Sequence, residues 1–250
     1  METYTLIICV FACVTIHKYI LQVEKINNTW GKLCTNNIKL LYILGDEVND
    51  NFVGSNYIYL SYVKNNYLSA SYKQNLGLKY IYQNYKTDFV FCCGTDTYVN
   101  IPKMMVFLNT FNKNDNLLIG GHGGKRKIGT DYVYFPSGGA GFILTYKCLE
   151  KIYPLLLSIT EDWIQLCSYC NTNVLVSACD VAISFYLQKD NIGTSIIKVD
   201  DLSFLACNYK GVPCHKNSVN KKKIITCHFM SLTDFDDFTK ILEKNNYFCD

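Results

Sequence analysis

Apolar runs of strand length, separated by segments with helical spacing, are the feature of this 250-residue chain that most constrains its fold. Residues 6–11, 38–44 and 89–92 are apolar at nearly every position, which is typical of strands covered on both faces of a parallel sheet. Strands that alternate with helices predict an α/β layer fold with a largely parallel central sheet.

The same reasoning gives an outline of the whole chain. Predicted strands cover residues 6–11, 38–44, 57–60, 89–92, 117–120, 132–135 and 224–229. Predicted helices cover residues 19–32, 71–85, 102–108, 146–157, 180–189 and 234–244. No repeat, linker or change of composition divides the sequence, so we expect one domain over residues 1–250.

Two carboxylates follow predicted strands directly. Asp46 follows the second strand through Gly45, and Asp96 follows the fourth through Gly94-Thr95. Ligands of α/β sheets bind beyond the carboxyl ends of the strands. We therefore expect Asp46, Asp96 and the glycine-rich loops of residues 120–124 and 137–141 to lie around one cleft.

Composition argues for a globular protein and against a nucleic-acid partner. Hydrophobic residues make up 49% of the chain and charged residues 18%, so a core can form. The 24 basic and 21 acidic residues nearly balance, and Arg126 is the only arginine. Proteins that bind nucleic acid are typically basic and use arginine to contact bases and phosphates.

The N-terminal apolar stretch predicts a buried strand. Residues 6–16 are too short for a transmembrane helix, which needs about 20 residues, and no Lys or Arg precedes them as in a signal peptide. Many of the 13 cysteines lie in apolar runs, which favours a reducing compartment. We expect a soluble, cytoplasmic protein; the alternative is the Golgi or ER lumen, with an N-terminus that is truncated or acts as an anchor.

The segment from Phe89 to Val99 carries the clearest chemical pattern. It delivers one carboxylate, Asp96, at the end of a buried strand. A divalent cation held by one or two carboxylates can neutralise the charge that develops on a diphosphate leaving group. The alternative interpretation is that Asp96 only caps the following helix.

Several blocks resemble the Fringe and core 1 β-1,3-galactosyltransferase family (family 31). Residues 66–73, Asn-Tyr-Leu-Ser-Ala-Ser-Tyr-Lys, are similar to its Tyr-x-Asn-Leu-x-x-Lys element, and residues 94–99, Gly-Thr-Asp-Thr-Tyr-Val, to its Asp-Asp-Asp-Thr-Tyr-Val signature. Residues 138–142 resemble its Gly-Gly-Ala-Gly-Tyr/Phe element. Thr29-Trp30, Asp180-Val181 and His228-Phe229 resemble further short elements in the same order.

This resemblance implies a GT-A fold, a Rossmann-like sandwich with one nucleotide-sugar site. It also implies transfer, with inversion, of galactose or N-acetylglucosamine from a UDP-sugar to a glycan or glycoprotein acceptor, with Mn²⁺ or Mg²⁺. By position, Asp96 would be a metal ligand, His228 a second ligand or diphosphate contact, and Asp180 the general base. The implied substrate-binding residues are Asp46, Lys73, Thr95, Gly138, Gly139, Ala140 and Gly141.

The departures from the family pattern keep a second function open. The first two acids of the family's motif are Gly94 and Thr95 here, and Cys179 replaces a glutamate before Asp180. A catalytically inactive sugar- or nucleotide-binding module on the same fold is therefore the alternative to an enzyme.

Individual residues also have simpler interpretations. Asp180 could cap its helix, His228 could be a core histidine, and His122 reads as a turn residue with substrate contact as the alternative. Lys221-Lys222-Lys223 is typical of a solvated turn.

Two other cofactor patterns receive little support. Cys167 and Cys170 have the spacing of half a zinc site, for which Cys207 and Cys214-His215 could supply the rest only with irregular spacing. The glycines of residues 120–124 do not follow the dinucleotide-binding order, which argues against an NAD enzyme.

Overall fold

The computed structural model describes residues 1–66, 69–121, 123–189, 191–200, 202–213 and 219–247. Within these residues, a seven-stranded sheet with helices on both faces forms the centre of the fold. The predicted α/β class with a mostly parallel sheet is confirmed.

The described elements alternate along the chain. The strands are β1 (Glu2–Phe11), β2 (Ile38–Leu44), β3 (Tyr57–Tyr59), β4 (Tyr85–Gly94), β5 (Tyr98–Val99), β6 (Leu117–Gly121), β7 (Gly124–Ile128), β8 (Asp131–Phe135), β9 (Phe142–Thr145), β10 (Ser195–Val199), β11 (Phe204–Leu205) and β12 (Thr226–Cys227). The helices are α1 (His17–Asn28), α2 (Ser69–Asn84), α3 (Ile101–Leu108), α4 (Tyr146–Ile152), α5 (Ile159–Tyr169), α6 (Cys179–Leu187) and α7 (Leu232–Lys244).

The central sheet has the strand order β10-β6-β9-β4-β1-β2-β3. β1 pairs in parallel with β2 and β4, and β10 pairs in parallel with β6, whereas β9 is antiparallel to both of its neighbours. The loop that enters β9 therefore reaches the same edge of the sheet at which the parallel strands end.

Alternation along the central strands divides the core into two clusters. Leu6, Ile8 and Val10 pack with the cluster that includes α1, α3 and α7, while Ile7 and Cys9 pack with the cluster that includes α2, α4, α5 and α6. Successive side chains of a strand point to opposite faces, so a run that is apolar throughout becomes buried on both sides. This explains why residues 6–11 and 38–44 can be recognised as strands from the sequence.

Two smaller sheets complete the described structure. β11, β12 and β5 form one of them, and β12 thereby lies beside the segment that follows Asp96. β7 and β8 form a hairpin in the connection between β6 and β9.

Several predicted elements were wrong in extent. The predicted strand 224–229 is reduced to β12, because the His228 N–H bonds to the Leu205 and Cys207 carbonyls and Phe229 takes a φ of 55°. The predicted helix 146–157 ends at Ile152, where a 3-10 turn containing Pro154 follows.

Other described elements were not predicted. They are α5, β5, β7, β9, β10 and β11. β10 lies at the edge of the sheet and is largely half-exposed, so its apolar alternation is weak.

Candidate functional site

A cleft of about 450 Å³ opens beyond the carboxyl ends of β1 and β4. Its walls come from the segments that follow these strands, from the starts of α1 and α2, and from His228 and Phe229. The parallel sheet therefore brings together residues that are distant in the sequence, as the rule for ligand sites in α/β sheets predicts.

Asp96 and His228 form a pair in the wall of this cleft. The Asp96 Oδ1 atom lies 3.3 Å from His228 Nε2, and both side chains remain partly accessible. Burial would raise the pKa of Asp96, but the hydrogen bond and charge of His228, a backbone hydrogen bond and the charge of Lys18 together hold that pKa below its ordinary value. The Met230 N–H donates to the Asp96 carbonyl at 3.0 Å, which ties the two loops together.

A divalent cation would fit this pair in place of the hydrogen bond, because a coordinating His228 Nε2 carries no proton. Two ligand atoms at right angles on an Mg²⁺-like ion, with bonds of about 2.1 Å, lie roughly 3 Å apart. Within the described part of the chain, no group of three or more His, Cys, Asp or Glu side chains converges on a possible metal position. The protein would thus supply two ligands and leave the other positions for water and substrate oxygens.

The loop of residues 137–141 lies directly behind His228. The Thr97 hydroxyl donates to the Gly139 carbonyl at 2.9 Å, and the Thr226 hydroxyl donates to the Ala140 carbonyl at 2.6 Å. Gly141 has a φ of +81°, which side chains rarely adopt. These contacts fix the loop on the strands and turns that carry Asp96 and His228.

Gly139 leaves the space that the His228 ring occupies. A Cβ atom at this position would lie 2.2 Å from His228 Nδ1. If the pair holds Mn²⁺ for a nucleotide-sugar donor, as the resemblance implies, Gly139→Ala should displace the ring and weaken Mn²⁺-dependent donor binding by roughly 10- to 100-fold, as for groups that orient metal ligands.

The test for Gly139 is a titration of donor binding with Mn²⁺ for this variant and for Gly124→Ala. At Gly124 the added Cβ meets the end of the Phe135 ring at 3.2 Å and the Arg126 guanidinium at 3.7 Å, and neither residue lines the cleft, so donor binding should be unchanged there. Equal donor affinity in the Gly139→Ala variant would contradict the role of this contact.

Asp180 contacts the same loop on its other side. Its Oδ2 accepts a hydrogen bond from the Gly138 N–H at 2.8 Å, and its Oδ1 accepts one from the Val181 N–H at 2.9 Å. Burial raises the pKa of Asp180, while these N–H bonds oppose the increase. Asp180 lies in the first turn of α6, whose N-cap is Ala178, so it does not act as a conventional cap.

Lys73 is buried beside the cleft, and its ammonium group donates two hydrogen bonds. Its Nζ donates to the Ala12 carbonyl at 2.7 Å and to Asn65 Oδ1 at 2.9 Å. Burial lowers the pKa of Lys73, and the nearby carboxylates of Asp46 and Glu47 oppose that decrease. Asp46 is exposed and lies near this network, outside the residues that line the cleft.

Two predicted substrate residues are held mainly by the protein itself. Thr95 lines the cleft, but its hydroxyl donates to Gln22 Oε1 at 2.6 Å. The Ala140 side chain is buried, and its carbonyl accepts the Thr226 hydroxyl bond, so Ala140 is not among the residues that line the cleft. Gly94 lies beside Asp96, since a Cβ there would approach Asp96 Oδ1 to 3.2 Å.

Sequence reasoning missed two polar residues of the cleft. Asn65 bridges Lys73, the Gly45 N–H and Glu47, and Lys18 lies close enough to Asp96 to help lower the pKa of that carboxyl. Lys18 follows β1 at the start of α1, so the rule on strand ends that identified Asp46 and Asp96 could also have identified Lys18.

The possible zinc ligands do not come together where they are described. Cys167 lies in the core cluster on one face of the sheet, and Cys207 lies in the cluster on the other face. Cys214, His215, His122, Tyr67 and Leu68 lie outside the described residues. The Lys221–Lys223 segment is a 3-10 turn, in agreement with the predicted turn.

A sequence model of the Fringe-like family matches residues 1–202, which is most of the chain. The chain belongs to the Fringe-like family. The matched region contains Asp96, the glycine loop and Asp180, while His228 lies beyond it.

Solved glycosyltransferases have the same fold as this Fringe-like chain. A glycosyltransferase involved in glycosylation of the major capsid of PBCV-1 is 13% identical, with a TM-score of 0.50, over 95% of this chain and 99% of that chain. GlyE of Streptococcus pneumoniae TIGR4 is 14% identical, with a TM-score of 0.55, over 98% of this chain and 64% of that chain. The galactosyltransferase LgtC, solved with donor and acceptor sugar analogs, is 10% identical, with a TM-score of 0.51, over 97% of this chain and 100% of that chain.

These neighbours establish the GT-A glycosyltransferase fold of the Fringe-like chain. No curated protein sequence matches the chain significantly. Among the described residues, no helix combines the length and apolar character needed to cross a bilayer.

Proposed function

We propose that the chain is a metal-dependent, inverting glycosyltransferase that moves a sugar from a UDP-sugar to an acceptor hydroxyl. Galactose and N-acetylglucosamine are the expected sugars, and a glycan or glycoprotein is the expected acceptor. The proposal draws on the Fringe-like family and the GT-A fold.

One observation about the site carries the proposal. Adjacent glycines of one loop contact the two kinds of group that such a transfer needs. Gly138 donates its N–H to the buried carboxylate of Asp180, and Gly139 packs against His228, the partner of Asp96. A base and a pair of possible metal ligands are therefore held by the same short segment.

Asp96 and His228 would hold Mn²⁺ or Mg²⁺, which when bound supplies positive charge for the diphosphate leaving group. Lys18, at the mouth of the cleft, adds a positive charge from the protein. The loss of two family acids at Gly94 and Thr95 leaves the Asp96 carboxylate facing His228.

Asp180 would take the proton from the attacking hydroxyl. An inverting transfer needs one carboxylate for this step, and a raised pKa brings a base closer to the pKa that is effective near neutral pH. The N–H groups of Gly138 and Val181 fix the orientation of the carboxylate.

The direct test is UDP release from a panel of UDP-sugars, measured with Mn²⁺ and with EDTA. We expect one donor to be hydrolysed slowly with Mn²⁺ and none with EDTA. If the protein neither hydrolyses nor binds any donor, the enzyme proposal fails and the inactive binding module is favoured. Binding of a donor without turnover, with any acceptor supplied, would also favour that module.

A further inference from the structure

A second groove, of about 460 Å³, lies on the other side of the glycine loop. The loop enters β9, which separates β4 and β1 on one side from β6 and β10 on the other. The cleft with Asp96 lies on the first side. The second groove lies on the side of β6 and β10 and is lined there by Gly120, Ile196 and Lys198.

The β7–β8 hairpin forms the opposite wall of this groove. Lys125, Tyr134 and Phe135 line the groove, and the register pairs Lys125 with Tyr134. The Lys125 Nζ atom lies 4.0 Å from the Tyr132 ring centroid and 5.2 Å from the Tyr134 ring centroid. The hairpin thus offers an ammonium group and aromatic surface together.

Lys125 brings a positive charge to the groove. The described lining includes no Asp or Glu. Asp131, the acidic residue of the hairpin, lies at the hairpin's turn and faces Lys189 at 3.9 Å. Such a groove complements a negatively charged ligand, and its volume is in the range of small-molecule sites.

The hairpin is attached to the helix that carries Asp180. The Gln188 side chain, at the end of α6, accepts from the Tyr134 N–H at 3.2 Å and donates to the Tyr134 carbonyl at 2.8 Å. After Phe135, the chain continues through Pro136 to Gly138, which bonds Asp180. A molecule in the groove therefore lies on the far side of this loop from the proposed donor.

We propose that this groove binds the acceptor and that the acceptor sugar carries a negative charge, as a uronic acid does. The aromatic rings would pack against the apolar face of the sugar ring, and Lys125 would contact the charged group. The acceptor role rests on the proposed glycosyl transfer, whereas the binding of an anionic sugar can be tested alone.

The binding test uses two ligands that differ only at C6, p-nitrophenyl β-D-glucuronide and p-nitrophenyl β-D-glucoside. Ligand-observed NMR titration of the full chain without donor gives both dissociation constants. We expect the glucuronide to bind about tenfold more tightly, the size of one charge-assisted hydrogen bond. The preference should decrease as salt is raised, because exposed charges are screened.

Matched variants test whether the groove causes the preference. Lys125→Ala should remove it, and Lys125→Glu should reverse it. Lys86→Ala removes the same charge from an exposed strand position, but Lys86 lies at the amino end of β4 and outside the groove lining, so the preference should persist. Unchanged thermal unfolding would show that these variants are folded.

The outcomes separate this inference from the proposed function. Equal binding of both glycosides, or an equal loss in Lys86→Ala, overturns the inference even if a UDP-sugar is hydrolysed. If the glucuronide binds through Lys125 but no donor is bound or hydrolysed, the acceptor role falls with the proposed function. Faster transfer to the glucuronide than to the glucoside, lost in Lys125→Ala, would support both.

Discussion

Replacing Asp96 with alanine is expected to lower Mn²⁺-dependent turnover of the donor by at least about 10²-fold, the scale of losing one group that stabilises developing charge. The change removes one of the two proposed ligand atoms, which lie 3.3 Å apart at the cleft. It also leaves His228 without its carboxylate partner. Donor affinity in the presence of Mn²⁺ should decrease with turnover, while affinity in EDTA should be unchanged.

Asp237→Ala is the matched control for this prediction. Asp237 is an exposed carboxylate of α7, so its removal changes the net charge equally without altering the cleft. The measurements are the rate of UDP release and the donor affinity as a function of Mn²⁺ concentration, for both variants. Turnover of the Asp96→Ala variant close to that of the unmodified protein would refute the metal assignment.

Replacing Asp180 with asparagine should lower kcat by roughly 10²- to 10⁴-fold, the usual contribution of a general base. Donor binding with Mn²⁺ should persist, because Asp180 contacts Gly138 and the donor cleft lies on the other side of the loop. Asp162→Asn, at an exposed position of α5, is the control. A parallel loss of donor affinity would instead indicate that Asp180 acts by holding the loop.

The pH profile adds an independent test of Asp180. A base works when it is ionised, and burial raises the pKa of this carboxyl above its ordinary value. The rate should therefore decrease as the pH falls through this raised pKa, at a higher pH than an exposed aspartate would require. The residual activity of Asp180→Asn should lack this acidic limb.

The sequence predicted the centre of the sheet better than its margins. Buried parallel strands leave unbroken apolar runs, so residues 38–44 were predicted with the observed bounds. β10 and the β7–β8 hairpin carry alternating or charged residues whose burial depends on neighbours distant in the chain. Their pairing partners could not be inferred from local pattern.

The candidate site shows the same division. Asp96 was predicted to be a site residue because it follows a buried strand. The resemblance implied that His228 is its partner, and the structure places the two side chains next to each other. The contacts of Gly138 with Asp180 and of Gly139 with His228 depend on the direction of β9, which was not predicted. Lys73 resembles a family lysine, and only the structure connects it with Ala12 and Asn65.

The β7–β8 hairpin leaves the sheet after β6 and returns to it through β9, and these two strands pair with each other. The sheet therefore fixes the two ends of the β7–β8 connection, but it does not fix the length of this connection or the residues on its surface. Surface connections tolerate substitution and insertion better than the strands that they join. If the groove beside the hairpin binds the acceptor as proposed, related proteins on this framework would change their acceptor by altering the hairpin and keep the donor site unchanged.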